Sequence, residues 1–111
     1  MIARGTVLTV SMGGGIGGKP RPVVVVQASD IDFAHTLVVV PLTSRDSADL
    51  DLRPVLLPDD ANGLKEPSSL MTHRIAAVSK SDIGTAVGAL SAMDMERVDA
   101  ALTLVLGLNA V

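Results

Sequence analysis

Residues 13–27 read Gly13-Gly14-Gly15-Ile16-Gly17-Gly18-Lys19-Pro20-Arg21-Pro22-Val23-Val24-Val25-Val26-Gln27. A glycine loop delivers one arginine onto a stiff backbone at the mouth of an apolar strand. Pro20 has its own φ fixed, and the ring of Pro22 disfavours helical geometry at the residue before it, so Arg21 is predicted to be extended. Its guanidinium therefore starts from a backbone with little freedom left to lose. The glycines lack side chains and turn at positive φ, which allows another chain to approach the backbone closely. No helix follows the loop and no Lys-Ser or Lys-Thr ends it, so it does not read as a nucleotide-phosphate cradle. It reads as a binding or catalytic edge.

Working outward, residues 23–27 are apolar on both faces and predict a central strand, with Pro22 tolerated at its start because a strand's first residue can lack an N–H. The β-branched run at 6–10 predicts a first strand ending at the loop. Residues 28–34, with Asp30 and Asp32, are polar enough to be a connection. A third strand follows at 36–43 and ends in Ser44-Arg45-Asp46. If the second and third strands fold as a hairpin about the middle of that connection, Arg21 lies opposite Leu42 or Thr43. A cation and a pair of hydroxyls, Thr43 and Ser44, then converge beside the glycine loop, with Arg45 close by.

Further along, 47–52 is a polar connection, 53–57 a fourth strand, and 58–63 has the residues of a turn. Lys65-Glu66-Pro67 precedes a long fifth strand at 69–78, in which Leu70, Thr72 and Arg74 face one way and Met71, His73 and Ile75 the other. A single turn at 81–84 and a short sixth strand at 85–90 complete the β elements. Ser91 with Asp94 three residues later resembles a capping box, and Gly107 is a natural helix stop. Between them Met95, Val98, Leu102, Val105 and Leu106 fall on one face of a final helix. The expected fold is a mainly β, antiparallel barrel closed by a C-terminal helix, one domain over residues 1–111.

Composition narrows the function. The chain has 111 residues, room for one modest core. Cysteine is absent, which removes disulfides and thiolate chemistry. Phe33 is the only aromatic, so the core must be aliphatic. Mean hydropathy is high for so small a chain, and a homodimer is expected to cover the apolar excess. The net charge of −3 argues against a generally adhesive nucleic-acid binder, so any such site is local. With no leader-like start and no apolar run long enough to cross a bilayer, a cytoplasmic protein with no membrane partner is expected. Asp30 with Asp32 and Asp59 with Asp60 read as solvated turns, and neither a metal nor a cofactor is expected.

The order of first strand, glycine loop, Gly18-Lys19-Pro20-Arg21-Pro22, valine strand, Pro41-Leu42-Thr43-Ser44, Asn62-Gly63-Leu64, Leu90-Ser91, Arg97-Val98 and Leu106-Gly107-Leu108 resembles the MazF/PemK toxins of type II toxin–antitoxin systems. The resemblance runs from Arg4-Gly5 to Leu108. It implies a small MazF/PemK/CcdB-like β-barrel, a homodimer, and a metal-independent, sequence-specific endoribonuclease that cuts single-stranded RNA, an mRNA interferase. It also implies a cognate antitoxin whose disordered tail covers the groove, with DNA met only through that antitoxin. Position by position, Arg21 matches the family's catalytic arginine and Thr43 its catalytic threonine, with Ser44 beside it. When a 2′-hydroxyl attacks the neighbouring phosphate, negative charge builds up that a fixed guanidinium can stabilise. Arginine is too hard to deprotonate to act as base. Arg21 is therefore read as electrostatic stabiliser and proton donor, and Thr43 as the hydroxyl that orients the phosphate.

The sequence departs from the pattern in two places. Ile16 and Gly17 stand where relatives carry a polar or acidic residue and an aromatic, and His73 stands where relatives tend to have Asp or Glu. His73 reads either as a general acid or base titrating near neutrality or as a half-buried strand residue with one hydrogen bond. Gly17, Gly18, Lys19, Ser44, Arg45 and Arg74, with Lys80, are expected to form a local RNA-binding groove. With one aromatic for stacking, recognition must rest on phosphate, backbone and base-edge contacts. Outside the pattern, Arg21 reads as a surface residue at a strand start and Thr43 and Ser44 as hydroxyls finishing a strand. Two other readings keep the fold: a non-catalytic gyrase poison resembling CcdB, whose closing aromatic segment is missing at Leu108-Asn109-Ala110-Val111, and a decayed relative that binds only an antitoxin-like peptide.

Overall fold

The valine runs dictate the centre of the molecule. In the computed structural model, which describes residues 2–11, 19–44 and 52–108, they form β1 (Thr6–Ser11), β2 (Pro20–Val25) and β3 (Thr36–Thr43). Val7 pairs with Val24 and Val24 with Val40, while Leu8 pairs with Val23 and Val25 with Val39. Since side chains alternate along a strand, Val7, Val24 and Val40 share one face and Leu8, Val23, Val25 and Val39 the other. Both faces are buried, at roughly 1.5–3 kcal/mol for each fully buried aliphatic side chain.

Each face has its own core cluster. The remaining elements are β4 (Val55–Leu56), β5 (Ser68–Leu70), a 3-10 turn (Thr72–Arg74), β6 (Ala76–Ser79), a second 3-10 turn (Lys80–Asp82), β7 (Ile83–Ala89) and α1 (Ala92–Leu106). The described strands make one sheet in the order β4-β5-β3-β2-β1-β7, with β6 also on β3. The first face packs under α1 through Val98 and Leu102, together with Leu56, Leu70 and Leu90. The second gathers Leu37 and Val78 beside Leu8, Val10, Val23, Val25 and Val39, with Ile2 and Ile83 packed against them. The result is the expected antiparallel half-barrel with one C-terminal helix.

The helix ends as its sequence predicts. Ser91 accepts a hydrogen bond from the Asp94 N–H at 3.1 Å, and Gly107 stops the helix in the left-handed region at φ 67°. Its buried stripe is Val98, Ala101 and Leu102, with Met95 packed beside it. Leu106, expected on that stripe, is 45% exposed, because it lies about 80° around the helix from Val98.

Several strand bounds differ from expectation. β2 covers Pro20–Val25 where 23–27 is predicted, because Pro20 to Pro22 pair with Thr9 to Ser11 of β1. The fourth strand shortens to β4, and its neighbour Pro54 serves only as acceptor, taking the Leu70 N–H at 3.0 Å. The last strand begins at Ile83, two residues early, after a turn at Lys80–Asp82 instead of 81–84. The long fifth strand is broken. Along β3 three residues separate Val39 from Leu42, but their partners Ala76 and Leu70 are six apart. The three extra residues are taken up by the 3-10 turn, whose buried Thr72 hydroxyl donates to the Leu52 carbonyl and whose Met71 N–H reaches the Pro41 carbonyl at 2.9 Å.

Candidate active site

Arg21 is extended between two strands, paired with Val10 of β1 on one side. On the other side, the register that sets Val23 against Pro41 places Arg21 opposite Thr43 when continued by two residues. Thr43 is in turn paired with Ser69 of β5. Residues directly opposite on antiparallel strands project to the same side. Arg21, Thr43 and Ser44 all line one cavity of about 420 Å³, inside the ~300–1,000 Å³ range of ligand pockets.

The segment Gly63–Glu66 forms another part of the cavity wall, with Thr9, Ser68 and Val87 also lining it. That wall is pinned by a fully buried asparagine. The Asn62 amide donates to the Leu57 carbonyl at 2.9 Å, and its oxygen accepts from the N–H groups of Asp59 at 3.2 Å and Leu64 at 2.9 Å. The Asp59 carboxylate caps the same turn, accepting from Ala61 and Asn62. Two glycines let the turn lie against β7. A Cβ on Gly63, at φ +71°, would sit 2.2 Å from the Val87 carbonyl oxygen, and one on Gly88 would sit 2.3 Å from that of Ala61. Beyond the turn, Pro67 restricts Glu66 to extended geometry, and the Ser68 hydroxyl donates to the Glu66 carbonyl at 3.0 Å.

Three charged residues, Arg21, Lys65 and Glu66, line this one cavity. Among the described residues none of them is drawn into an ion pair; pairs there include Arg4 with Asp99, Lys80 with Asp32 and Arg97 with Asp94. No three of the described His, Asp or Glu side chains are grouped to hold a metal ion.

The other residues singled out in the sequence are placed differently. His73 and Arg74 belong to the 3-10 turn, and His73 lines a separate cavity of about 320 Å³ with Leu52, Arg53 and Thr72. The fold does not bring His73 to Arg21 and Thr43 within the protomer. Lys19 is exposed just before β2. Lys80 is a correction to the expected groove. It follows Ser79, which pairs with Thr36 at the far end of β3 from Thr43, seven residues or about 23 Å away along the strand. Its ammonium is held by Asp32 at 2.6 Å, and that hydrogen bond with the neighbouring charge lowers the Asp32 pKa. Gly17, Gly18 and Arg45 lie outside the described residues, as do Ile16 and the rest of the glycine loop.

The family model described as "PemK-like, MazF-like toxin of type II toxin-antitoxin system" matches residues 3–106. The chain belongs to that toxin family. It is 38% identical over 105 residues, 95% of its own length and 96% of the relative's, to a Mycolicibacterium smegmatis protein named "Probable endoribonuclease MazF". Among solved structures it is similar to an endoribonuclease in complex with its cognate antitoxin from a mycobacterial species, with a TM-score of 0.77, 23% identity and 97% of each chain covered. It is also similar to the Mycobacterium tuberculosis toxin MazF-mt6, with a TM-score of 0.70, 19% identity, and 91% of this chain and 96% of that one covered. At such identities these two likenesses speak for the fold of the MazF-like toxins. Within that fold, Lys65 and Glu66 were not foreseen as site residues. The local signal for Glu66 was present, a charged residue stiffened by a following proline like Arg21, but the wall it joins is set by the packing of the turn on β7.

Proposed function

We propose that this chain is an endoribonuclease toxin that cuts single-stranded RNA at the cavity between Arg21 and Glu66. The single observation carrying this reading is that Arg21 and Thr43 line one cavity. The 2′-oxygen attacks the adjacent phosphorus, the bond to the 5′-oxygen breaks, and the products are a 2′,3′-cyclic phosphate and a 5′-hydroxyl. Arg21 stabilises the charge gathering on the phosphoryl oxygens with two parallel N–H donors and supplies a proton to the departing oxygen. Thr43 orients the phosphate through its hydroxyl, with Ser44 beside it. No residue in this scheme requires a metal ion.

A cognate antitoxin with a disordered acidic and aliphatic tail is the natural partner of such a cavity, since folding onto it would mask the cations. DNA would be met only through that antitoxin. Met93, Leu104 and Leu108 leave apolar surface exposed, which a homodimer would cover. In the test, purified protein is incubated with short single-stranded RNA in excess chelator. Cleavage to a cyclic phosphate is expected for the wild type and its loss for Arg21→Ala; an inert wild type, or an unimpaired Arg21→Ala, defeats the reading.

A further inference from the structure

Attack by a 2′-hydroxyl requires an acceptor for its proton, and the residues proposed so far do not provide one. A guanidinium such as that of Arg21 carries donors and no acceptor. The hydroxyls of Thr9, Thr43, Ser44 and Ser68 are weak bases, and the ammonium of a lysine such as Lys65 offers donors only. His73 lines a different cavity. One described residue lining the Arg21 cavity has the right chemistry, Glu66. From this we infer that Glu66 is the general base of the reaction, an inference that rests on the nuclease reading above.

The placement suits the role. Glu66 and Arg21 line the same cavity, and each precedes a proline, so both charged side chains leave backbones with little freedom. Glu66 is further tied through its carbonyl to the Ser68 hydroxyl at the start of β5. Within the described residues its carboxylate enters no ion pair, which leaves its oxygens able to accept. In the step itself, the O2′–H proton passes to the Glu66 carboxylate as the O2′–P bond forms. The P–O5′ bond breaks, O5′ leaves protonated by Arg21, and exchange with water restores both side chains. The charged groups facing Glu66 are Arg21 from β2 and Lys65 from its own segment; β1, β3 and β7 bring only Thr9, Thr43, Ser44, Leu42 and Val87.

The test is single-turnover cleavage of a short single-stranded RNA across pH 5 to 9 by wild type, Glu66→Gln and Glu66→Asp. Binding is measured in parallel with a 2′-deoxy version that cannot react. For the wild type the rate is expected to fall on the acid side as one group takes up a proton. Glu66→Gln should lose about 10²–10⁴-fold in rate and lose that acid limb, with binding changed no more than a few-fold; Glu66→Asp should recover part of the rate and the limb. A Glu66→Gln protein that cuts at the wild-type rate with the wild-type pH profile overturns the inference. So does one that keeps the rate but changes which base is preferred beside the cut, since that would make Glu66 a base reader. In both cases the nuclease reading stands. A wild type that fails to cut removes that reading and the inference with it.

Discussion

Arg21 of β2 and Thr43 of β3 line one cavity, and the register that sets Val23 against Pro41, continued by two residues, brings them opposite each other. Two groups fixed to adjacent strands and lining one cavity are placed to hold the same phosphate, so their contributions to cleavage should not be independent. Arg21→Ala is expected to slow cleavage about 10³-fold and Thr43→Ala about 10²-fold. The double variant should lose far less than the product of the two. Arg21→Lys keeps the charge but not the paired donors, and should recover only a small part of the rate. Single-turnover rates of the four proteins measure this, and strictly multiplicative losses would separate the two residues mechanistically.

Two glycines with nearly the same backbone angle should respond differently to substitution. Gly107 ends α1 at φ +67° with nothing near its would-be Cβ, whereas Gly63 at φ +71° has the Val87 carbonyl 2.2 Å from that position. Gly107→Ala should therefore cost about 1–2 kcal/mol of left-handed strain alone. Gly63→Ala adds a clash with backbone and should cost about 3 kcal/mol or more. Urea unfolding of both variants tests the ordering.

The buried Asn62 tests whether the cavity wall depends on its pin. Removing its side chain orphans the Leu57 carbonyl and the Asp59 and Leu64 N–H groups. Asn62→Ala is expected to cost roughly 2–4 kcal/mol. It should also depress cleavage by the folded protein, since Lys65 and Glu66 follow directly from that turn. Asn62→Asp keeps the acceptor but loses the donor and should fall between wild type and alanine in both measurements.

Much of this arrangement was legible in the sequence because local chemistry decided it. Glycine and proline bracket the valine runs, so β1, β2 and β3 were readable, β3 to both its ends and β2 with its ends shifted toward the loop. A hairpin turn placed mid-connection then set Arg21 against Leu42 or Thr43. The break after Leu70 was not legible. Met71 to Arg74 keep a strand-like alternation, and what turns the chain is a distant contact, the Thr72 hydroxyl on the Leu52 carbonyl. Beyond that break His73 lines a different cavity from Arg21, and His73→Ala is expected to leave cleavage within a few-fold of wild type. Lys65 and Glu66 were hidden for a similar reason, since their wall exists only because Gly63 and Gly88 let two segments touch.

The Lys80–Asp32 pair gives a pH prediction of definite sign. The Lys80 hydrogen bond and charge lower the Asp32 pKa in the folded protein. Its contribution to stability is therefore fully present above the unfolded carboxylate pKa, and is lost as pH falls through the lowered folded value. The pair is exposed, so the effect should be small and screened by salt. Carboxyl titration followed by NMR should show Asp32 below the usual aspartate range in the wild type and back toward it in Lys80→Ala. A titration unchanged by that substitution would show the pair to be absent in solution.

The same pair bears on RNA binding. Affinity for a single strand falls with salt in proportion to the number of phosphates neutralised, with a logarithmic slope of about −0.7 for each. Lys65 lines the catalytic cavity without an ion partner among the described residues, so Lys65→Gln should make the slope shallower by about 0.7. Lys80 is committed to Asp32 at the other end of β3, so Lys80→Gln should leave the slope where it was. Binding of a 2′-deoxy oligonucleotide analogue at several salt concentrations distinguishes the two. An equal change for both lysines would mean that RNA crosses the whole length of the sheet, and that Lys80 releases Asp32 to meet it.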